Sequence, residues 1–368
     1  MKVLYDYQAF NAQRTGGVSR YFVELMQQWR GQEDLKADLI APFAINRHLQ
    51  QARRQWSGVA RGLQLPAAWG PSPALSLANR FCFVPFTAGR LWDIYHPTYY
   101  NTLWPPPRSR RTVVTVFDMT HERFPEYFSN RDTTAARKGR RMASADGIIC
   151  ISEATRRDLL ELTGVPAERT VVVPLATRMG DVEAVPFPGG RPYWLFVGSR
   201  AGYKDFGVLV EALAGTPALA GTDIVCFGGG AFTAEEMRKW TRCALGGRIR
   251  YVSGDDTRLR GVYEGAIALA YPSRYEGFGL PPLEAMTVGC PTLTADCSSL
   301  PEVVGDAGVR LPPGDPGAWS TAMVRMVTEG EWRAGWKRAG LKRAALFSWA
   351  STAAQTREFY CRVLAWRR

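Results

Sequence analysis

The sequence has no apolar run of about 18 residues or more, the length a helix needs to cross a bilayer, so no spanning segment is expected. It has no C-x-x-C pair. The seven cysteines are scattered and odd in number, which excludes a disulfide framework and a cysteine-built zinc site. Most of them sit inside apolar runs such as "GIICIS" and "IVCFGGG", where a reduced cysteine acts as a small core residue. Histidine is scarcer still, with His48, His96 and His121 at no metal-ligand spacing, so no metal cofactor is expected. There is no low-complexity segment and no self-similar period, which excludes a solenoid. The start, "MKVLYDYQAF", enters a strand at once and leaves no room for a leader, so a cytoplasmic protein is expected.

Acidic residues are the minority. With 46 Lys and Arg against 34 Asp and Glu, the formal charge is +12 and the pI about 9.5. That excess calls for an anionic partner: nucleic acid, anionic lipid or a phosphorylated substrate. Much of it lies in the first half, in "RRQWSGVARGLQL", "PPPRSRRT" and "RDTTAARKGRRM", around the aromatic stretch "AAWGPSPALSLANRFCFVPFTAGRLW". Such a mixture could lie peripherally on an anionic membrane, or be a solvated basic face beside ordinary helices. Helix-turn-helix spacing, zinc knuckles and RNP-type aromatic motifs are missing, so no nucleic-acid partner is expected.

The 368 residues suit two domains. The first half alternates strands ("KVLYDY", "ADLIAPF", "DIYHPTY", "RTVVTVFDM", "GIICIS") with helical stretches, the pattern of a doubly wound parallel sheet. A Pro- and Gly-containing stretch, Ala176 to Pro192, reads as a linker. The alternation then restarts with "YWLFVGS", "DIVCFGGG", "RIRYVSG", "IALAYPS" and "PTLTAD". The expected domains are residues 1–180 and 181–345, with 346–368 an amphipathic helix packing back toward the first. Ligands bind such sheets beyond the carboxyl ends of the strands.

The most informative stretch is "YPSRYEGFGLPPLEAM", Tyr271 to Met286. A buried strand runs into a glycine turn, and Pro281-Pro282 suits the first turn of a helix. Backbone N–H groups from Gly277 to Leu280 and of that first turn would make an anion site suited to a diphosphate. Glu276 and Glu284 would repel that ligand unless they accept bonds from sugar hydroxyls. A nucleotide-sugar meets both demands; a helix-start charge and a loop carboxylate is the plain alternative. "RAGYKDF" puts Arg200 and Lys204 at another strand end, where they could clamp and stabilise a departing diphosphate or form a surface pair. "TGGVSR" offers Gly16 and Gly17 for close approach of backbone to phosphate, or only a turn. Asp118 and His121, in "VFDMTHERFP", follow a strand of the first half; His121 could contact sugar or acceptor, or be a satisfied loop residue.

Together "GGVSRYFVEL", "VFDMTHERFP", "CISEATRRDL", "FVGSRAGYKDF", "FGGGAF" and "YPSRYEGFGLPPLEAMTVGCPTLTADCSSLPEVVGDAG" resemble glycosyltransferase family 4, over nearly the whole chain and in order. The subgroup most similar is the mannosyltransferase-like enzymes of bacterial surface polysaccharide assembly. The resemblance implies a GT-B fold, with two Rossmann-like domains facing across a cleft, and retaining transfer from a nucleotide-diphospho-sugar. It implies Glu284 on the ribose; Glu276 with Gly277, Phe278, Gly279 and Leu280 on the sugar and β-phosphate; Arg200 and Lys204 on the phosphates; Gly17 in the N-terminal glycine loop. The base would lie near Arg250, Val252 and Ser253, and His121 near the sugar. Many relatives carry histidine directly before the aspartate, where this chain has Phe117.

No second carboxylate is evident as a covalent nucleophile, so front-face displacement is expected, with the catalytic share of Glu276, Arg200, Lys204 and His121 being positioning and charge stabilisation. "GDD" at Gly254 to Asp256 reads as a loop and helix cap rather than a metal motif. GDP-mannose is the preferred donor and a lipid-linked or oligosaccharide chain the preferred acceptor, both from the resemblance. The competing readings are a nucleotide-sugar epimerase on the same architecture and a basic nucleic-acid-binding protein.

Overall fold

The computed structural model describes every residue except 57, 67, 68, 104, 367 and 368. Ser57, Ala67 and Ala68 of the basic, aromatic stretch, and the last two residues of the expected C-terminal segment, thus lie outside the described residues. The chain forms two compact units, one of Met1–Leu175 with the C-terminal helix Trp349–Ala365, the other of Ala176–Ser348. The divisions fall at 175/176 and 348/349, where the sequence suggested 180 and 345.

The first unit holds seven parallel strands: β1 (Lys2–Tyr5), β2 (Lys36–Ala44), β3 (Arg61–Gln64), β4 (Trp92–His96), β5 (Ser109–Val116), β6 (Gly147–Cys150) and β7 (Thr170–Val172). Their order is β3-β2-β1-β4-β5-β6-β7. The strand order reverses between β1 and β4, leaving a crevice beyond their carboxyl ends. Asp6, fully buried just after β1, accepts from the Tyr95 hydroxyl at 2.7 Å, Thr98 Oγ1 at 2.7 Å, Gln8 Nε2 at 2.7 Å and the Thr98 amide at 3.1 Å. That carboxylate ties the β1 and β4 loops together.

The C-terminal helix docks on this unit through a buried polar cluster. The Tyr360 hydroxyl lies 2.6 Å from His96 Nδ1 and 3.1 Å from the Tyr5 hydroxyl, and His96 Nε2 lies 2.9 Å from Thr115 Oγ1. Burial pushes the His96 imidazole down to about 3, so it is neutral when folded. An unfolded histidine titrates near 6.5, so protonation favours the unfolded chain, and this stability is full above about pH 6.5 and lost as the pH falls toward 3. Two pH units below 6.5, at pH 4.5, the loss attributable to His96 is about 3 kcal/mol. Urea midpoints at pH 7 and 4.5 check it; His96→Asn should shrink the acid-induced drop.

The second unit holds β8 (Tyr193–Val197), β9 (Asp223–Phe227), β10 (Ile249–Val252), β11 (Ala268–Tyr271), β12 (Thr292–Ala295) and β13 (Val309–Leu311). The order is β10-β9-β8-β11-β12-β13, again all parallel. Every residue of β9, β11 and β12 is buried, as expected of strands covered on both faces by helices. Trp194, Phe196, Phe206 and Trp240 fill the core between sheet and helices. Here the order reverses between β8 and β11. The stretch read as a linker is part of this unit: the Val185 amide donates to Thr257 O at 3.1 Å and Arg260 Nη1 to Gly180 O at 2.9 Å. Among the described residues, no helix is long and apolar enough to cross a membrane.

Candidate active site

β8 and β11 flank the reversal, and the loops leaving them carry Lys204 and Glu276. β8 ends at Val197, and a 3-10 turn over Gly202–Lys204 leads to the helix Phe206–Ala214. Asp205 begins that helix in the left-handed region, at φ 50°, held by Arg274 Nε at 2.8 Å. Arg274 itself donates its amide to Tyr203 O at 2.8 Å. The two loops are thus bound to each other by backbone and side chain, which fixes the positions of Lys204 and Glu276.

Lys204 Nζ donates to Glu276 Oε1 at 2.5 Å, with both side chains mostly shielded. The ammonium also faces the Tyr203 and Tyr271 rings at 5.1 and 5.7 Å. Tyr271, buried at the end of β11, hydrogen-bonds Glu276; burial, then the Glu276 charge and that bond, push its hydroxyl well above the ordinary tyrosine range. Ser298 Oγ accepts the Glu276 amide at 3.2 Å and donates to Glu276 O at 2.7 Å, and Ser299 Oγ donates to Phe278 O at 2.7 Å. These two serines pin the Glu276–Phe278 loop from the far side.

Gly279 precedes the helix Leu280–Thr287 with φ 109°, a conformation that side chains rarely adopt, and a Cβ there would sit 2.9 Å from Leu300 Cδ2. Pro281 and Pro282 occupy the first turn and carry no N–H, so donors come from Leu280 and the residues before it rather than from the whole turn. Glu284 lies one turn further in, buried, and its Oε2 accepts from the Tyr263 hydroxyl at 3.0 Å. Burial, then the Glu284 charge and that bond, drive the Tyr263 hydroxyl well up. Each glutamate therefore has a buried tyrosine behind it, Tyr271 for Glu276 and Tyr263 for Glu284.

Arg200 and Lys204 hold different carboxylates, Glu236 and Glu276. Arg200 Nε donates to Glu236 Oε1 at 2.8 Å, while its Nη atoms reach the carbonyls of Gly228 at 3.4 Å, Gly230 at 3.0 Å and Ala231 at 3.3 Å. Its guanidinium stacks 4.9 Å from Phe232 and its side chain is 5% exposed. The reason is local: Glu236 closes the capping box of the helix Ala234–Arg242 with Thr233, and the glycine loop after β9 presents its carbonyls to the same spot. In this structure Arg200 braces that loop. Glu236 feels burial, which raises it, but the Arg200 and Thr233 bonds hold it below the usual carboxylate range. Glu236→Ala should lower stability by about 2–4 kcal/mol in urea unfolding, since Arg200 would stay buried without its carboxylate; Glu236→Gln should recover part of it.

Arg250 also lies apart. Its Nε is 3.3 Å from Asp223 Oδ2 at the start of β9, and its guanidinium lies 5.9 Å from both the Phe187 and Tyr193 rings. That is the amino end of the sheet, because Asp223 pairs with Tyr193 at the start of β8, so Arg250 does not meet the other expected donor residues. Val252 and the exposed Ser253 are at the carboxyl end of β10, with Val252 O accepting from Gly228 N at 3.0 Å.

Gly17 and His121 belong to the first unit. Gly17 opens the helix Gly17–Gln28, and Asn46 Nδ2 bonds both Ser19 Oγ at 2.8 Å and Gln13 O at 2.9 Å to pin the preceding loop. His121, in the short helix Thr120–Arg123 after β5, stacks on Phe128 at 3.9 Å with Nε2 3.6 Å from Asp132 Oδ2. Its Nδ1 is buried without a hydrogen-bond partner among the described residues. Beside it Lys138, 1% exposed, donates to Asp118 O and Glu122 Oε2, each at 2.8 Å. Lys138, Tyr263, Tyr271, Ser298, Ser299 and the Gly228–Gly230 loop were not singled out from the sequence. Only "FGGG" and "CSSLPE" carried a visible signal for them.

Two parallel-sheet units of this kind are those of the GT-B fold. Three solved structures share the fold: sucrose-phosphate synthase from Thermosynechococcus elongatus (TM-score 0.78, 21% identity, 99% of each chain), Anabaena HepE in complex with UDP and glucose (0.73, 17%, 97% of this chain and 98% of that one), and WaaG, a glycosyltransferase involved in lipopolysaccharide biosynthesis (0.68, 16%, 97% and 98%). In sequence, residues 15–177 match Glycosyltransferase Family 4 and residues 181–343 match Glycosyl transferases group 1. The chain is 30% identical to O-antigen chain mannosyltransferase B of Escherichia coli over 98% of its length and 99% of that protein. A 114-residue stretch is 37% identical to the E. coli serotype-specific mannosyltransferase WbdA, 31% of this chain and 14% of that one. The chain belongs to the family-4 glycosyltransferases.

Proposed function

We propose that this glycosyltransferase moves mannose from GDP-mannose to a hydroxyl of a lipid-linked or oligosaccharide acceptor in surface polysaccharide assembly of the O-antigen type, at the cytoplasmic face of an anionic membrane. The observation that carries the donor site is the Lys204–Glu276 pair at the reversal of strand order. A diphosphate arriving there competes for the Lys204 ammonium and releases Glu276 to accept bonds from sugar hydroxyls. Glu284, held by Tyr263, takes the ribose diol. The E. coli relative supports mannose by its name.

The chemistry proposed is front-face displacement with retention: the acceptor oxygen bonds to the anomeric carbon as the bond to the diphosphate oxygen breaks. The acceptor proton passes to the leaving diphosphate. Lys204 and the Gly277–Leu280 backbone carry the growing charge, and no metal is required. His121 contributes contact to sugar or acceptor; wild-type transfer by His121→Ala would remove it from the site.

Transfer from GDP-mannose and rival sugar nucleotides, in chelator and with lipid-linked glycan, tests this. Product with the donor's anomeric configuration is expected. Inverted product, a metal requirement or sugar conversion without acceptor would overturn the mechanism, and turnover with a different nucleotide only would replace the donor.

A further inference from the structure

The second unit has a cavity at the amino end of its sheet, the end opposite the loops that carry Lys204 and Glu276. Its volume is about 610 Å³, that of a small-molecule site. The walls are the segment before β8 with Arg191, the turns before β11 and β12 with Glu264 and Gly289, and the start of the helix Gly330–Ala344 with Arg333 and Lys337. Gly330, Arg333 and Lys337 stand three and four positions apart, so one helix face brings two cations and the positive helix end to the cavity together. No side chain caps that end. Arg333 Nη1 donates to Met326 O at 3.2 Å, and neither Arg333 nor Lys337 forms an ion pair among the described residues. The exposed Lys337 runs its stem across Gly289, where φ is 72° and a Cβ would sit 2.9 Å from Lys337 Cε. On the other side Arg191 Nη1 and Arg250 Nε share Asp223, at 3.8 and 3.3 Å, so one carboxylate serves two guanidinium groups. Among the described residues of the wall the acid is Glu264, whose Oε1 accepts from Arg260 Nε at 2.8 Å.

We propose that this cavity binds a sugar phosphate, at a site separate from the donor pocket. Arg333, Lys337 and the first turn of their helix take the phosphate, since two cations without acidic partners gain most from a dianion. Glu264 would repel a bare anion. Its place on the wall fits a ligand that also carries hydroxyls, from which a carboxylate accepts. The enclosed volume suits a hexose phosphate, whereas a nucleic-acid strand needs an open groove to track its backbone. Lys204, Glu276 and Glu284 are not on the wall, so both sites can be filled at once.

The test is calorimetric titration of the full chain with mannose 6-phosphate, inorganic phosphate and mannose. The wild type should bind mannose 6-phosphate at one site per chain, more tightly than phosphate, with no heat from mannose. Arg333→Gln/Lys337→Gln should weaken that binding at least about tenfold and Lys337→Gln alone about threefold, with thermal unfolding midpoints at the wild-type value. Saturating GDP should leave the mannose 6-phosphate affinity in place. No heat from mannose 6-phosphate at millimolar concentration, equal affinity in the double variant, or displacement by GDP would overturn the inference. Phosphate binding as tightly as mannose 6-phosphate would overturn the sugar-phosphate class and leave a plain anion site. The titrations without GDP need no donor or acceptor, so their failure leaves the transferase reading standing, and a failure of GDP to bind bears on the donor pocket alone.

Discussion

Lys204→Ala is expected to lower kcat by about 100- to 1,000-fold while changing donor KM far less. Lys204 is the cation that faces Glu276 across the reversal between β8 and β11. Removing it strips charge from the leaving diphosphate and leaves the Glu276 carboxylate, still bound to Tyr271, facing that dianion. The second effect can be separated from the first. Adding Glu276→Gln to Lys204→Ala removes the repulsion, so the double variant should lose less than the sum of the two single losses. Arginine at 204 is not a silent replacement, because its planar fork does not reproduce a compact ammonium. Steady-state rates at saturating donor check the prediction, and wild-type kcat in Lys204→Ala would remove this side chain from the chemistry.

Glu284→Ala should weaken nucleoside-diphosphate binding roughly 10- to 100-fold and lower kcat much less, since a ribose contact is made equally before and during transfer. Its buried position also makes Tyr263 a positioning residue. Tyr263→Phe deletes the bond that holds Glu284 Oε2 at 3.0 Å and should raise the dissociation constant in the same direction by a smaller factor, about 3- to 10-fold. A purely structural role for Tyr263 would lower the unfolding midpoint without moving that constant, so calorimetry beside thermal unfolding separates the two.

Ten of the thirteen described strands were legible because their apolar runs are short and complete: "YWLFVGS" contains β8 and "IALAYPS" contains β11, whereas β3, β7 and β13, three or four residues long, were not read. Glu276 and Lys204 were read at strand ends, and they lie in the loops leaving β11 and β8. Partners distant in sequence were not. Whether Arg200 reaches a phosphate or a carboxylate depends on Glu236, 36 residues on, and on where the carbonyls of Gly228, Gly230 and Ala231 point. Arg250 reads as a strand-end residue, yet it turns back to Asp223 because that carboxylate lies at the amino end of the neighbouring strand. Tyr263 and Tyr271 were given no role from the sequence, and their hydroxyls acquire meaning only when the helix Asp256–Gly265 and β11 set them behind the two glutamates. The proline pair illustrates a subtler limit. It correctly marked a helix start, but the same residues withhold the amides that a helix start usually offers.

The most direct test of the donor site is calorimetric titration of the folded protein with GDP, UDP, ADP and dTDP in chelator, repeated on Glu284→Ala. One diphosphate, GDP on this account, should bind the wild type at one site per chain without metal, and Glu284→Ala should bind it clearly more weakly. Heat from none of the four, or identical affinity in Glu284→Ala, would contradict a nucleotide pocket built on Lys204, Glu276 and Glu284.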